Sequence, residues 1–286
     1  MAKLRNIVLA LLLLVSTAYA QGPAGNDDGI IPANSIILRS MPDRGLVGYW
    51  SFDDSTGVTG VTALDLSGYG NDGAITGAVD TTGVVREGLF FSGSGDKIDT
   101  GADMIGTGAD TFCAWINPAS LGTSSAGRII DNAGIVLATY VSNTLLFSSD
   151  DSTVITSPFN SITLNQWQHV CVTRDAAGLA TFYINGVQSG TMNRNSGTPV
   201  AGANNVIIGN DLASARDFNG GMDEIRIYDR VLSPGEIKTL ASQTNPKIHI
   251  SPDNDVSATS ITLIDGRGKV SINPSGGITA AGMIIQ

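Results

Sequence analysis

From Leu46 to Ile227 the chain is a succession of short apolar runs, each closed by glycine, asparagine, aspartate or serine. The runs are Val47–Phe52, Gly88–Phe91, Thr111–Asn117, Ile135–Thr139, Thr144–Phe147, Trp167–Thr173, Thr181–Ile184, Val206–Ile208 and Met222–Tyr228. Strand-length pieces divided by turn chemistry predict an all-β fold, an antiparallel β-sandwich. The composition agrees: 35 glycines supply turns, and only 15% of the 286 residues are charged, which leaves little material for solvated helices. The clearest connection is Asn185-Gly186 between Phe182-Tyr183-Ile184 and Val187. Such a pair accepts positive φ at both central residues, as a two-residue type I′ hairpin requires.

One helix is written into the sequence. Ser233, Pro234 and Glu236 supply an N-cap, a proline at the first helical position and a capping-box partner, with Ile237 and Leu240 three apart on one face. The helix is expected to run to about Ser242 and to close the domain. At the other end, Lys3 and Arg5 precede the apolar run Ile7–Val15, and Ala18 and Ala20 frame a cleavage site before Gln21. Residues 1–20 therefore read as a secretory signal peptide, too short to span a membrane as a helix. Residues 21–45 read as a flexible arm, and residues 46–242 as the main domain. Residues 247–286 read as a β-rich tail with strands at Lys247–Ile250, Ser260–Ile264, Lys269–Ile272 and Gly277–Ile285. So few strands make no core of their own, so the tail is expected to dock on the sandwich or on its own copies in a homo-oligomer.

The charge balance narrows the partners. Sixteen basic against 26 acidic residues give a net charge of −10, and loss of Lys3 and Arg5 takes the mature chain to −12. With no basic stripe, nucleic acid and anionic membranes are poor partners, and no later stretch is long and apolar enough to span a bilayer. Export also changes how the two cysteines read. In an oxidising compartment Cys113 and Cys171 are expected to pair, and closing a loop of 58 residues contributes about 4 kcal/mol in the chain-entropy model. The alternative is a reactive pair of Cys171 with His169, which needs an orienting third group that nothing nearby in sequence supplies.

Motifs for catalysis are few. Gly68-Tyr69-Gly70-Asn71-Asp72-Gly73 matches the glycine pattern of dinucleotide sites, but the residues after it read as a strand, so a tight turn is the better reading. No G-x-S-x-G and no H-E-x-x-H occurs, and His169 and His249 do not make a zinc site. The adjacent carboxylates Asp53-Asp54, Asp150-Asp151 and Asp223-Glu224 could serve a glycosidase only if both members faced one cleft. Strand alternation sends Asp223 and Glu224 to opposite faces. Acidic loops beside glycine and asparagine instead suit calcium, which takes six to eight oxygen ligands. For any single aspartate, turn formation through its own backbone is the competing role.

The segments Gly45–Asp53, Asp65–Gly73, Thr111–Ile116, Trp167–Val172, Phe182–Val187 and Phe218–Ile237, in this order and spacing, resemble the laminin-G-like, concanavalin A-like jelly-roll domains that include pentraxins. The resemblance spans about residues 45–242. It implies a jelly roll with Tyr49, Trp50, Phe52, Trp115 and Trp167 in or near the core, and it supports a Cys113–Cys171 disulfide. It also implies a rim calcium between the first and penultimate strands, for which Asp53, Asp65, Asn71 and Asp223 are the candidate ligands. The loops that in pentraxins bind calcium and ligand match Asp131-Asn132 and Asn210-Asp211, although the second has a single carboxylate where pentraxins are richer.

These readings converge on an exported, non-catalytic recognition or adhesion module that binds a glycan or an extracellular protein with calcium-ordered loops. Two other readings stand beside it. The tail makes the chain a structural subunit of an extracellular fibre or surface assembly, and the superfamily's glucanases make it a glycan-cleaving enzyme.

Overall fold

The computed structural model describes residues 44–53, 62–150, 152–243, 269–272 and 278–281. The signal peptide expected at 1–20, nearly all of the expected arm, and the tail strands expected at 247–250 and 260–264 lie outside the described residues. The strands in chain order are β1 Leu46–Trp50, β2 Thr62–Ala63, β3 Gly73–Thr76, β4 Val79–Thr82, β5 Glu87–Ser92, β6 Lys97–Asp99, β7 Asp110–Pro118 and β8 Arg128–Asp131. They continue with β9 Val136–Tyr140, β10 Thr144–Ser148, β11 Ile155–Thr156, β12 Gln168–Arg174, β13 Leu179–Ile184, β14 Val187–Asn195, β15 Ile207–Ile208 and β16 Asn219–Tyr228. Helix α1 (Pro234–Ala241) follows, and β17 (Lys269–Ile272) and β18 (Ile278–Ala281) form a hairpin in the tail.

Two antiparallel eight-stranded sheets carry the domain. The first runs β14-β13-β12-β7-β16-β5-β4 with β1 also paired to β16, and the second runs β11-β10-β9-β8-β15-β6-β3-β2. Alternate residues of each strand turn into the space between the sheets, where Trp50, Phe52, Leu89, Phe91, Phe112, Ile116, Leu137, Phe147, Val172 and Phe218 form one apolar core. Phe112 of β7 meets Phe147 of β10 across that space with ring centres 5.8 Å apart. The predicted type I′ hairpin is present: Asn185 has φ 50°, Gly186 has φ 77°, and Ile184 pairs with Val187.

β7 is buried on both faces over most of its length. Its outer face lies against a second apolar cluster, in which Cys113, Cys171, Tyr183, Tyr228 and Leu232 are covered by Ile237 and Leu240 of α1. Ser233 caps α1 as expected, its hydroxyl accepting from the Glu236 N–H while the Glu236 carboxylate accepts from the Ser233 N–H. Cys113 and Cys171 stand directly opposite on β7 and β12, with Cα atoms 4.2 Å apart, and are joined as a disulfide. That bond excludes the reactive-thiol alternative for Cys171.

Of the five aromatics expected in or near the core, Trp50 and Phe52 are in it. Tyr49 and Trp115 are buried on the outer face of the first sheet, and Trp167 is half-buried at its rim. The Gly68–Gly73 motif is a turn, with Gly68 and Gly70 at φ 91° and 77°, and it leads into strand β3 rather than a helix.

Candidate functional site

Asp53 follows β1, and Asp223 lies within β16 just before a register shift between Asp223 and Arg226. The two are brought to the same short turn between β4 and β5. Asp223 Oδ2 accepts from the N–H groups of Val84 and Val85 at 2.8 and 2.9 Å, and Asp53 Oδ1 accepts from the Glu87 N–H at 3.3 Å. The turn can approach this closely because Gly83 has no side chain: a Cβ there would lie 2.5 Å from Asp223 Oδ2. Asp53 is further faced by Arg86 Nη1 at 4.0 Å.

Asp223 is fully buried, and its Oδ1 has no hydrogen-bond partner. Burial, followed by the charges of Glu224 and Asp53, pushes its carboxyl up to about 8, against the pull of the two turn N–H groups. Without an ion the carboxyl therefore keeps its proton at neutral pH, and its unsatisfied buried oxygen beside a second carboxylate is the donor chemistry that a hard divalent cation would take in the proton's place. Asp53 and Asp223 therefore fit the calcium that the fold family implies.

Asp65 and Asn71 are spent otherwise. Asp65 Oδ1 accepts from the Tyr49 and Ser67 N–H groups at 3.0 and 2.9 Å, and Oδ2 accepts from Ser67 Oγ and the Asn71 N–H at 2.7 and 2.9 Å. Asn71 Nδ2 donates to the Val47 carbonyl, and the Asn71 carbonyl accepts from Trp50 Nε1. These four-way bonds tie the glycine turn to β1 and leave Asp65 no free lone pair, which makes it an organiser of the turn. Among the described residues, the group of three His, Cys, Asp or Glu ligand atoms mutually within 4.8 Å is Cys113, His169 and Cys171. Its sulfurs are bonded to each other and are not thiolate ligands.

The expectation that Asp223 and Glu224 face opposite ways fails at the register shift. Glu224 adopts φ 55°, which breaks strand alternation. Its carboxylate is turned to the outer face, accepting from Tyr49 Oη at 3.0 Å and from Arg226 Nη2 at 2.5 Å, while the Arg226 guanidinium stacks 4.0 Å from the Tyr49 ring centre. Trp115 and His169 lie beside this network in edge-to-face contact. Neither His169 nitrogen has a partner, and burial, then the Arg226 charge, lowers His169 to about 3. Of these five, the sequence draws attention to Glu224 as one of a carboxylate pair and to His169 beside Cys171, and gives Tyr49, Arg226 and Trp115 no polar role. The bulge that gathers them carries no glycine to announce it.

A second site lies on the loops. Asp131 ends β8 and Asp211 follows β15, and both line one open cleft of about 340 Å³ with Arg128, Asn204 and Leu212. Arg128 Nε donates to Asp131 Oδ2 at 2.7 Å, and Asp131 Oδ1 accepts from the Ala133 N–H. Asp211 Oδ1 accepts from the Ala215 N–H. Asn132 and Asn210 are fully buried and frame the cleft from behind. The Asn132 side chain donates to Asp103 and accepts from the Gly134 and Ile135 N–H groups, and Asn210 donates to Asp217 at 2.7 Å and accepts from the Asp211 and Arg216 N–H groups. Burial pushes the Asp217 carboxyl up, but Thr123, Gly95 and Asn210 outweigh it and hold the group below its usual range. The cleft wall is thus fixed by buried amides, and the charged groups that line it are Arg128, Asp131 and Asp211, of which Asp131 is itself buried. Arg128, three residues before Asp131 in the same strand, is the member that sequence reasoning missed.

Solved structures of the same architecture are similar to this chain at low identity. Domain 4 of AbnA, a GH43 extracellular arabinanase from Geobacillus stearothermophilus solved in complex with arabinotriose, is 22% identical at a TM-score of 0.52, covering 69% of this chain and 98% of that one. The binding domain of Paraclostridial Mosquitocidal Protein 1 is 18% identical at 0.51, covering 69% and 52%. Trypanosoma rangeli sialidase is 17% identical at 0.51, covering 69% of this chain and 32% of the sialidase. The chain thus spans about half of the second protein and a third of the third. No curated protein matches the sequence significantly. The described helix is far too short to cross a membrane. Residues 92–238, just over half of the chain, match the family model described as the concanavalin A-like lectin/glucanases superfamily, and with the two-sheet sandwich and capped α1 in place the chain belongs to that superfamily.

Proposed function

We propose that the protein is an exported, non-catalytic glycan-recognition module whose ligand seats in the Arg128–Asp131–Asp211 cleft. The observation that carries this reading is the cleft itself: Arg128 and Asp131 of β8 and Asn204 and Asp211 of the neighbouring loops line it, and the buried Asn132 and Asn210 side chains brace those loops. Sugar hydroxyls are donors and acceptors at once, and a carboxylate beside a guanidinium satisfies both roles, while Leu212, 44% exposed, offers an apolar contact. The arabinotriose complex of the structurally similar arabinanase domain supports a carbohydrate as the ligand class. Both Asp131 oxygens are already engaged, Oδ2 accepting from Arg128 Nε and Oδ1 from the Ala133 N–H. The disulfide fits an oxidising, extracellular setting.

Calcium enters this reading at Asp53 and Asp223, away from direct ligand contact, as the ion that satisfies the orphan Asp223 oxygen. Glycan-array binding of the mature chain, with and without EDTA, tests the proposal. Binding that is lost in Arg128→Ala and Asp211→Ala supports it. A well-folded chain that binds no glycan in either state overturns it, and release of reducing sugar would replace it with the enzyme reading.

A further inference from the structure

The groups that the loop cleft offers to a ligand are not the ones that brace it. The Asn132 and Asn210 side chains are bonded to the backbone behind, and Asp131 has both oxygens engaged. Among the described residues, no hydrogen bond is made by Arg128 Nη1 or Nη2, by the Asn204 side-chain amide, or by Asp211 Oδ2. These groups sit on a fixed frame. The Ala203 and Asn204 N–H groups donate to the Asn132 carbonyl, and the turn after β15 is closed by the Ser214 N–H on the Asp211 carbonyl and the Ala215 N–H on Asp211 Oδ1. Lys97 Nζ ties the same turn by donating to the Leu212 carbonyl and Ser214 Oγ at 3.0 and 3.1 Å.

The charge in this set is lopsided. Arg128 and Asp131 form an ion pair at 2.7 Å and neutralise each other. Asp211 makes no ion pair among the described residues. Arg216, whose carbonyl accepts from the Arg128 N–H, does not line the cleft, and the cation Lys97 is directed at the oxygens of the turn. Behind the wall Asp217 adds a buried carboxylate, held by Thr123, Gly95 and Asn210. The uncompensated charge lining the cleft is thus the carboxylate of Asp211, in a chain of net charge −10.

We propose that the cleft selects uncharged glycans, and that Asp211 is the residue that turns away uronic acids and sulfated sugars. This selectivity rests on the reading of the cleft as the glycan site. A ligand carboxylate or sulfate meets Asp211 as a like charge, and the guanidinium that could offset it is already paired with Asp131. A hydroxyl meets no such opposition. It donates to Asp211 Oδ2 and accepts from Arg128 or the Asn204 amide, while the apolar face of a sugar ring can lie on Leu212. A neutral sugar and its uronate share ring shape and linkage, so discrimination between them comes from repulsion of the wrong partner.

The test applies the mature chain, at low and high salt, to an array of hexose and pentose oligomers printed beside the oligouronates and sulfated forms of the same hexoses. Neutral oligomers are expected to bind with little dependence on salt. Acidic ones should bind at least about tenfold more weakly, and should gain as salt screens the repulsion. Asp211→Asn keeps an oxygen for the Ala215 N–H and should narrow that gap about tenfold, the size of one like-charge contact at a protein surface. Asp80→Asn, which removes an exposed charge from β4 of the other sheet, should leave the gap as it is. The selectivity is overturned, with the glycan reading left standing, if acidic oligomers bind the wild type as well as neutral ones, if neutral binding falls steeply with salt, or if both variants narrow the gap equally. A folded chain that binds neither class overturns the glycan reading and the selectivity together. The wild-type readings need no variant, so a misfolded Asp211→Asn still leaves the selectivity open to disproof.

Discussion

Asp223 sets the chemistry of the rim. In the unfolded chain its carboxyl titrates near 3.8, and in the folded chain near 8. Below 3.8 both states hold the proton and the folded state bears no penalty. As pH rises through 8 the folded chain must ionise a buried carboxylate beside Glu224 and Asp53, and stability is lost, on the order of a few kcal/mol. In EDTA, the melting temperature is therefore expected to fall between pH 5 and pH 8.5, and calcium should reverse that fall. Asp223→Asn should flatten both responses; a variant that keeps the calcium-dependent rise would place the ion elsewhere. His169 acts in the opposite sense. Held at about 3 against 6.5 in the unfolded chain, it favours folding above pH 6.5, and that contribution is lost as pH falls toward 3. His169→Phe should shrink the loss of melting temperature between pH 6.5 and 4, and an unchanged acid limb would remove His169 as its source. The candidate aspartates were visible in the sequence because Asp and Asn cluster at turns. What was not visible is that Asp223 is left with one bare oxygen and Asp65 with none, because that depends on which backbone N–H groups come within reach: Val84 and Val85 for Asp223, Tyr49 and Asn71 for Asp65.

Among the elements, those that declared themselves carry local signals. Asn185-Gly186 and Ser233-Pro234-x-Glu236 work through bonds within a few residues, so each appears as the spacing predicted. Both are testable. Gly186→Ala puts a Cβ 3.0 Å from Ala241 Cβ and Lys238 Cα at a φ of 77°, so it strains the turn and pushes on α1. A loss of about 1–2 kcal/mol in denaturant unfolding is expected. Ser233→Ala should cost about 1 kcal/mol through the lost cap. A Gly186→Ala chain as stable as the wild type would show that α1 is not seated on the hairpin. The elements that stayed hidden are held by partners far away in sequence. β6 is three residues stabilised between β3 and β15 and forms no run of its own in the sequence, and β14 is announced only by its first residue, Val187, because as an edge strand it buries little. The Glu224 bulge was hidden for the same reason: its stabilisation comes from Tyr49, 175 residues away.

For the whole molecule, the two sheets, the disulfide and α1 all lie between Leu46 and Ala241, and among the described residues the main core draws on none after Ile227. The tail adds the β17–β18 hairpin, whose four-residue strands are too short to supply a core of their own. A chain ending at Gln243 is therefore expected to unfold in one cooperative transition within a few degrees of the full-length protein, as differential scanning calorimetry would measure. Loss of cooperativity would mean that the sandwich needs the tail. The same truncated chain tests assembly through the tail. The strand-rich tail, read from sequence, puts contacts between copies after residue 246, so a folded truncation that sediments as a monomer beside a full-length oligomer places assembly in the tail. An oligomeric truncation would remove the tail from it.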